Sequence, residues 1–250
     1  MGVKKEEEYR YMENENVQFD KIAEEYDENL KVLLGKWGDS DIDKFAEYKI
    51  ALARQLLRGN IDSVLDFGCG IGRSLSYFKT YFHEAELYGC DVSAESLKLA
   101  AREIQADHLF VNAEYDSISK FGASYSLVFI ACVLHHIEPK ERLRWMKEVF
   151  TSVKPGGYII VFEHNTLNPM TKSIILDDNN LVDDISWMLS HKYLKELMLS
   201  IGNGARIAWD GYTLFSPVRF KGILRMERCL KWLPIGAQHC ILLQKCEEIR

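Results

Sequence analysis

A glycine-rich turn with an acid just before it is the segment of this sequence best suited to chemistry. It runs from Val64 to Gly72 and reads VLDFGCGIG, an apolar run followed by glycines at alternate positions. Glycine lets the backbone adopt positive φ and approach a ligand closely, and the amino terminus of a following helix offers free N–H donors. The segment therefore predicts a ligand site where a buried strand passes into a helix.

Two later apolar runs also end in polar residues. Asp91, followed by Val92, ends the run LYGCD, and Asn112, followed by Ala113, ends the next run. A carboxylate at such a strand end can accept hydrogen bonds from both hydroxyls of a ribose. A dinucleotide site of the Gly-x-Gly-x-x-Gly type would need a third glycine at position 73, where the sequence has Arg73. The spacing therefore argues against NAD.

Candidate proton acceptors follow the fourth and fifth apolar runs. His135 and His136 come after the fourth run, and Glu163 and His164 end the fifth. In open α/β sheets the carboxyl edge of the strands faces the ligand, so Glu163, His164 or His136 could accept a proton from an acceptor hydroxyl or amine. The alternative is structural: the histidines pack in the core, and Glu163 and His164 only cap the strand.

The elements that must position these residues alternate along the chain. Strands are predicted near 63–67, 86–90, 108–112, 125–132, 158–163, 205–215 and 238–245, and helices from 73, from 94, at 140–153 and at 190–200. Repeated βα units predict a doubly wound, mostly parallel sheet, and strands apolar along their whole length predict burial on both faces. Apolar residues at helical spacing between positions 19 and 57 predict a helical leader, interrupted at 35–40.

In order and spacing, these motifs resemble the class I S-adenosylmethionine-dependent methyltransferases over roughly residues 60–163. The sequence departs from that family at Asn112, where an acid is usual. Segments outside this core, among them Phe19-Asp20, Tyr26-Asp27 and Asn168-Pro169, resemble a bacterial subgroup of the type 11/12 methyltransferases whose substrate is unassigned. A departure from that subgroup falls at Thr166, where proline is usual.

The resemblance implies a Rossmann-like α/β fold, a seven-stranded sheet with an antiparallel last strand. It divides the chain into a helical leader or lid at 1–58 and a methyltransferase domain at 59–250, with an acceptor-side insertion at about 164–203. The residues that it assigns to S-adenosylmethionine are Asp66, Gly68, Cys69, Gly70, Gly72, Asp91, Val92, Asn112, Ala113 and Cys132. It places Glu163, His164 and His136 on the catalytic side.

The function that the resemblance implies is methyl transfer to a small or medium-sized acceptor through an oxygen or nitrogen nucleophile, possibly on a sugar or a lipid-linked intermediate. Two alternatives remain open at this point. One is a catalytically silent S-adenosylmethionine-binding or scaffold protein, and the other is an aminopropyltransferase on the same fold. The sequence indicates neither the acceptor nor the oligomeric state.

Bulk properties restrict the partners. The net charge of −6 over 250 residues gives no general attraction to nucleic acid, so a small-molecule acceptor is expected. Six cysteines without paired spacing predict reduced thiols in the cytoplasm. No metal is expected, because Asp177, Asp178, Asp183 and Asp184 are typical of a solvated loop and a helix start. No segment is long enough to insert in a membrane, although the basic segment 219–233 could touch a lipid surface or pack on the sheet.

Overall fold

The computed structural model describes residues 31–32, 35, 42–104, 106–112, 118, 125–177, 180, 183–214 and 229–246. Several residues singled out above lie outside the described residues. These are Phe19, Asp20, Tyr26, Asp27, Ala113, Asp178 and positions 219–228 of the basic segment.

The strands and helices alternate along the described chain much as the apolar pattern predicts. The strands are β1 (Ser63–Phe67), β2 (Glu86–Asp91), β3 (His108–Val111), β4 (Tyr125–Ala131), β5 (Val153–His164), β6 (Ala205–Thr213) and β7 (Gln238–Lys245). The helices are α1 (Ile42–Leu56), α2 (Arg73–Tyr81), α3 (Ala94–Glu103), α4 (Arg142–Ser152), α5 (Pro169–Ile175) and α6 (His191–Leu199). Short 3₁₀ turns at Leu134–His136 and Ile185–Trp187 complete the described elements.

The strands form one sheet of seven in the order β3-β2-β1-β4-β5-β7-β6, counted over the described residues. Strands β1 to β5 run parallel, whereas β7 lies antiparallel between β5 and β6. This confirms the predicted Rossmann-like sheet with an antiparallel last strand. The chain order reverses between β1 and β4, so the carboxyl ends of these strands open the crevice where such sheets bind ligands.

Helices cover both faces of the sheet. Along β4, Leu127 and Phe129 belong to one core cluster and Val128 and Ile130 to the other, as the alternation of side chains in a strand requires. The first cluster includes Ile50 of α1 and Phe78 of α2, and the second includes Met146 of α4 and Met198 of α6. Burial on both faces explains why β4 is apolar along its whole length.

The last part of the predicted leader is built into this core. Helix α1 buries Ile50 and Leu52, and it is tied to α2 through Arg73 Nη1, which lies 3.2 Å from Asp43 Oδ1. Tyr81 of α2 also donates its hydroxyl proton to Glu47 Oε1 at 2.8 Å. Helix α1 is therefore fixed beside the first βα unit, with the Lys49 side chain directed at the carboxyl end of β4.

The start of β5 and the region after His164 differ from the sequence prediction. Strand β5 begins at Val153 and not at Tyr158, because Val153 pairs with Tyr125 before an irregularity shifts the register to Tyr158 opposite Leu127. The region after His164 also holds more structure than its composition indicates, with α5 capped by Asn168, whose side chain accepts from Thr171 N. Within the described residues, no helix is both long and apolar enough to cross a membrane.

Candidate active site

The glycine turn after β1 is drawn across the end of β2. The backbone N–H groups of Gly68 and Cys69 both donate to the Cys90 carbonyl, at 2.8 and 2.9 Å. A Cβ on Gly68 would stand 2.5 Å from Val133 Cγ2, so protein packing requires glycine there. At Gly70 the backbone has φ +52°, and no atom lies within 4 Å of the position that a Cβ would take. The open side of the turn is therefore at Gly70.

Asp91 is fixed beside that open side. Its Oδ2 accepts from Gly70 N at 2.8 Å and its Oδ1 accepts from Ser93 N at 2.9 Å. Ser93 in turn caps α3 by accepting from Ser96 N at 3.0 Å. An ionised carboxylate has about four acceptor positions, so a side chain of this type can accept more hydrogen bonds than these two. The structure thus brings Gly70 and Asp91 together, as the sequence predicts.

Two other residues predicted to contact the cofactor lie along the same strand ends. Asn112 is buried, and its backbone N–H donates to the Asp91 carbonyl at 2.8 Å. Val92, next to Asp91, is half-buried. The predicted cofactor residues therefore follow the carboxyl ends of β1, β2 and β3 in order.

Asp66 lies under the turn with only 2% of its surface exposed, and its Oδ2 has no hydrogen-bond partner among the described residues. Burial raises the pKa of this carboxyl to about 8, the negative charge of Asp91 adds to the effect, and Lys49 opposes it. A buried polar atom without a partner is costly, and a protonated carboxyl can donate as well as accept. This oxygen is therefore suited to a ligand that brings a hydrogen-bonding group or a positive charge.

Because Asp66 holds its proton in the folded state up to pH about 8 and loses it near 3.8 when unfolded, it favours folding at low pH. That contribution is complete below the unfolded pKa and is lost as the pH rises through the folded pKa. The neutral Asp66→Asn variant has no such slope. Without ligand, we expect the melting temperature of Asp66→Asn minus that of the wild type to increase as the pH rises from about 5 to about 9. Parallel melting curves would contradict the raised pKa.

The glycines of the turn should respond differently to alanine. Gly68→Ala adds a methyl against Val133 at positive φ, which should destabilise the fold by about 2–4 kcal/mol. Gly70→Ala meets no protein atom, so its stability cost should be about 1–2 kcal/mol, the strain of left-handed backbone alone. The Gly70 methyl, however, projects into open space, so ligand affinity should fall. Melting curves measure the loss of stability, and calorimetric titration measures the loss of affinity. Equal loss of stability in the two variants would contradict the assignment of Gly70 as the open position of the turn.

Cys132 marks the carboxyl end of β4, at the boundary between the two sides of the crevice. It has φ +59°, a left-handed conformation that is uncommon for a residue with a side chain. Gln238 Nε2 donates to its sulfur at 3.0 Å, and Lys49 Nζ lies 3.7 Å away. Burial raises the pKa of the Cys132 thiol, but His164 and Lys49 outweigh it and bring the pKa down to about 7.

A cluster of histidines and carboxylates lies at the carboxyl ends of β4 and β5. Glu163 is fully buried, and its Oε1 accepts from Val133 N at 3.2 Å and from Leu134 N at 2.8 Å. Its Oε2 lies 2.6 Å from His135 Nδ1. The sequence allows Glu163 to be either a base or a structural residue, and its role as a base stays a prediction. Because both oxygens are engaged inside the protein, these contacts favour a role in positioning His135.

Asp183 completes the cluster from a distant loop. Its Oδ1 lies 2.9 Å from His135 Nε2 and 3.7 Å from His136 Nε2. The expectation that these acids only form a solvated loop and a helix start is wrong for Asp183, whose side chain is 19% exposed. It holds for Asp184, which caps the 3₁₀ turn by accepting from Ser186 N. No local pattern indicates the Asp183 contact, because Asp183 follows His135 by 48 positions.

Charges within the cluster support one another. Burial lowers the pKa of His135, but the carboxylates of Glu163 and Asp183 outweigh it and raise the pKa to about 10. Burial likewise raises the pKa of Glu163, yet His135 brings it down to about 2. In His136, burial and the neighbouring His135 lower the pKa to about 3. His136 and His164 are half-buried, so they are the histidines of this cluster that keep solvent-facing surface near the crevice.

Comparison with known proteins finds similarity to methyltransferases. The methyltransferase domain family matches residues 64–157. The trans-aconitate 2-methyltransferase of Azoarcus sp. strain BH72 is 29% identical over 129 residues, which are 50% of this chain and 49% of that protein. The tRNA N(3)-methylcytidine methyltransferase Mettl2 of Drosophila melanogaster is 26% identical over 107 residues, 39% of this chain and 33% of that protein. The matched segments thus span half or less of these relatives.

Solved structures extend the likeness over almost the whole chain. The plantazolicin methyltransferase BpumL, in complex with a monoazolic desmethylPZN analog and SAH, superposes with a TM-score of 0.62 at 15% identity, covering 97% of this chain and 99% of that one. An S-adenosylmethionine-dependent methyltransferase from Archaeoglobus fulgidus gives a TM-score of 0.59 at 15% identity, covering 81% and 94%. At such low identity, these likenesses show a shared fold.

Proposed function

We propose that this chain, a member of the class I S-adenosylmethionine-dependent methyltransferase family through its domain at residues 64–157, transfers a methyl group to an oxygen or nitrogen nucleophile of a small or medium-sized acceptor. The observation that carries the proposal is the 2.8 Å contact between Asp91 Oδ2 and Gly70 N, which holds an acid against the open glycine turn. Across the crevice from this donor side lies the histidine cluster.

On the donor side, the residues available to hold S-adenosylmethionine are the turn at 68–72, Asp66, Asp91 and Asn112. Their fit rests on the open position at Gly70 and on the buried, unpartnered Asp66 Oδ2, which suits a hydrogen-bonding group supplied by the cofactor. Asp91 stands beside the open turn, and a carboxylate there is the type of acceptor that the hydroxyls of a ribose require. When bound, the cofactor supplies an electrophilic methyl group on a sulfonium.

On the acceptor side, the chain has to align a nucleophile, exclude water and take up a proton. Alignment of the reactants supplies about 7–11 kcal/mol in well-oriented reactions, and a positioned base contributes about 10²- to 10⁴-fold in rate. His136 and His164 are the candidate bases, because they are half-buried beside the crevice and rest on His135, which Glu163 holds in place. A protein that only binds the cofactor would not require such a cluster. The cluster therefore favours an enzyme over a silent binding protein.

The acceptor is proposed to be a small molecule. Relatives named for trans-aconitate and for tRNA both match, so similarity alone does not choose between acceptor classes. The net charge of −6 disfavours an extended phosphate backbone, and we therefore place nucleic acid second. The free cysteines are in keeping with a reducing compartment such as the cytoplasm.

Calorimetric titration with S-adenosylmethionine, S-adenosylhomocysteine and NAD tests the proposal. Micromolar binding of the first two, without binding of NAD, is the expected result and would justify a screen of small oxygen and nitrogen acceptors. Absence of binding by either adenosyl compound would overturn the cofactor assignment. Binding without methylation of any acceptor, small molecule or tRNA, would favour a silent binding protein.

A further inference from the structure

Three potential metal ligands meet at the acceptor edge of the sheet. One ligand atom each from His135, His164 and Asp183 lies within 4.8 Å of the others, on three separate elements. His135 is in the 3₁₀ turn after β4, His164 is the last residue of β5, and Asp183 precedes the 3₁₀ turn at 185–187. Their convergence is a product of the fold, since no short sequence motif joins them.

We propose that His135, His164 and Asp183 form a binding site for a divalent transition metal ion, with Zn²⁺ as the first candidate. Two imidazoles and one carboxylate suit zinc and its first-row neighbours, whereas Mg²⁺ and Ca²⁺ prefer oxygen ligands throughout. The proposal replaces the expectation from sequence that the protein binds no metal.

The surroundings of His135 are those of a metal-ligating histidine. Glu163 Oε2 lies 2.6 Å from His135 Nδ1, and Glu163 is itself held by two backbone N–H groups. A carboxylate on the second nitrogen is the usual partner that orients such a ligand and fixes its tautomer. With the Nδ1 proton directed at Glu163, the Nε2 lone pair of neutral His135 faces Asp183 Oδ1 at 2.9 Å. Two electron-pair donors at this distance need a positive charge shared between them, either a second proton or a metal ion.

Asp183 is oriented in the same manner. Asn180 Nδ2 donates to Asp183 Oδ2 at 3.3 Å, and Asn180 Oδ1 accepts from Asp183 N at 3.2 Å. These contacts leave Oδ1 directed at the histidines. Both carboxylate neighbours of His135 are therefore fixed by other parts of the protein, and the site is organised before any ion arrives.

Three protein ligands are also the number found in catalytic zinc sites, which keep a position open for water or substrate. Resting on the proposed function, the inference is that this open position receives the nucleophilic oxygen of the acceptor. With the ion bound, His164 is a ligand, and His136 is the remaining candidate base. A metal ion at this site lowers the pKa of a hydroxyl group bound to it and orients the hydroxyl oxygen. The acceptor class would then be one with a hydroxyl or carboxylate oxygen able to bind zinc.

The test uses the full chain without an affinity tag, stripped by chelator and dialysed. Titration with Zn²⁺, followed by elemental analysis, should give about one bound ion per chain, and Co²⁺ should show visible ligand-field absorption. His164→Ala and Asp183→Asn should each lower the affinity by more than 100-fold, and Glu163→Gln by about 10- to 100-fold. Asp184→Asn and His83→Ala, at exposed positions close in sequence or type, are the matched controls and should bind like the wild type.

Wild-type protein that binds no more Zn²⁺ than Asp183→Asn or His164→Ala would overturn the metal site, with His135 then a protonated imidazolium between two carboxylates. If a ligand variant fails to fold, a rise in the wild-type melting temperature on adding Zn²⁺ decides instead, and no rise counts against the site. Titrating S-adenosylmethionine into the stripped protein separates the two proposals. Cofactor binding without zinc binding removes the metal site only, and zinc binding without cofactor binding removes the proposed function only.

Discussion

Asp91→Ala is expected to weaken S-adenosylmethionine binding by about 10²- to 10⁴-fold and to leave the protein folded. The carboxylate would provide two hydrogen bonds to ribose hydroxyls, each contributing about 1.5–3 kcal/mol. It also holds Gly70 N at 2.8 Å and Ser93 N at 2.9 Å, so its removal loosens the turn that borders the cofactor. Calorimetric titration measures the loss, and circular dichroism confirms the fold.

The variant Asp91→Asn separates the contribution of the negative charge of Asp91 from that of its side-chain shape. The amide can still accept from one backbone N–H, but it offers a ribose only one acceptor oxygen, so affinity should fall between those of the wild type and Asp91→Ala. Glu95→Ala, at an exposed acid one turn into α3 that pairs with Lys98, is the control and should bind normally. Unchanged affinity in Asp91→Ala would refute the ribose assignment.

The arrangement of the glycine turn and Asp91 could be predicted because its determinants are local. A turn, the acid before it and the acid at the next strand end each depend on a few consecutive residues, and parallel strands bring their carboxyl ends to one edge. The predicted bounds of β7 are those observed, because polar residues mark both ends of its apolar run 240–243, with Gln238 and His239 before the run and Gln244 and Lys245 after it. The motif does not show that the glycines of the turn have different roles. Gly68 is required by Val133, which lies 65 positions later and enters no motif.

The acceptor side could be predicted only in part. The ends of β4 and β5 located His136, Glu163 and His164, but their roles depend on which neighbours bury them. Asp183 reaches His135 only through the path of the loop after α5, and no periodicity encodes that path. Lys49 approaches Cys132 because α1 packs beside α2, a contact across 83 positions. Such contacts are set by tertiary packing, so propensity and spacing cannot supply them.

Glu163→Ala is expected to destabilise the fold by about 3–5 kcal/mol, the usual cost of removing one partner of a buried ion pair. The variant leaves buried His135 without its carboxylate at 2.6 Å and leaves the N–H groups of Val133 and Leu134 without an acceptor. In a chain of this size, each kcal/mol corresponds to about 2–4 °C in melting temperature. Melting curves in the presence of chelator measure the effect free of any bound ion.

Two companion variants decide whether Glu163 acts by position or as the base itself. Glu163→Gln keeps an acceptor for the backbone N–H groups, so it should recover part of the stability that Glu163→Ala loses. Glu84→Ala, at a side chain 84% exposed, should change stability by no more than about 0.5 kcal/mol. If Glu163 were the base, Glu163→Gln would abolish methyl transfer at every pH while keeping full stability. A positioning role instead predicts that the rate and the melting temperature fall together, since both depend on His135 being held in place.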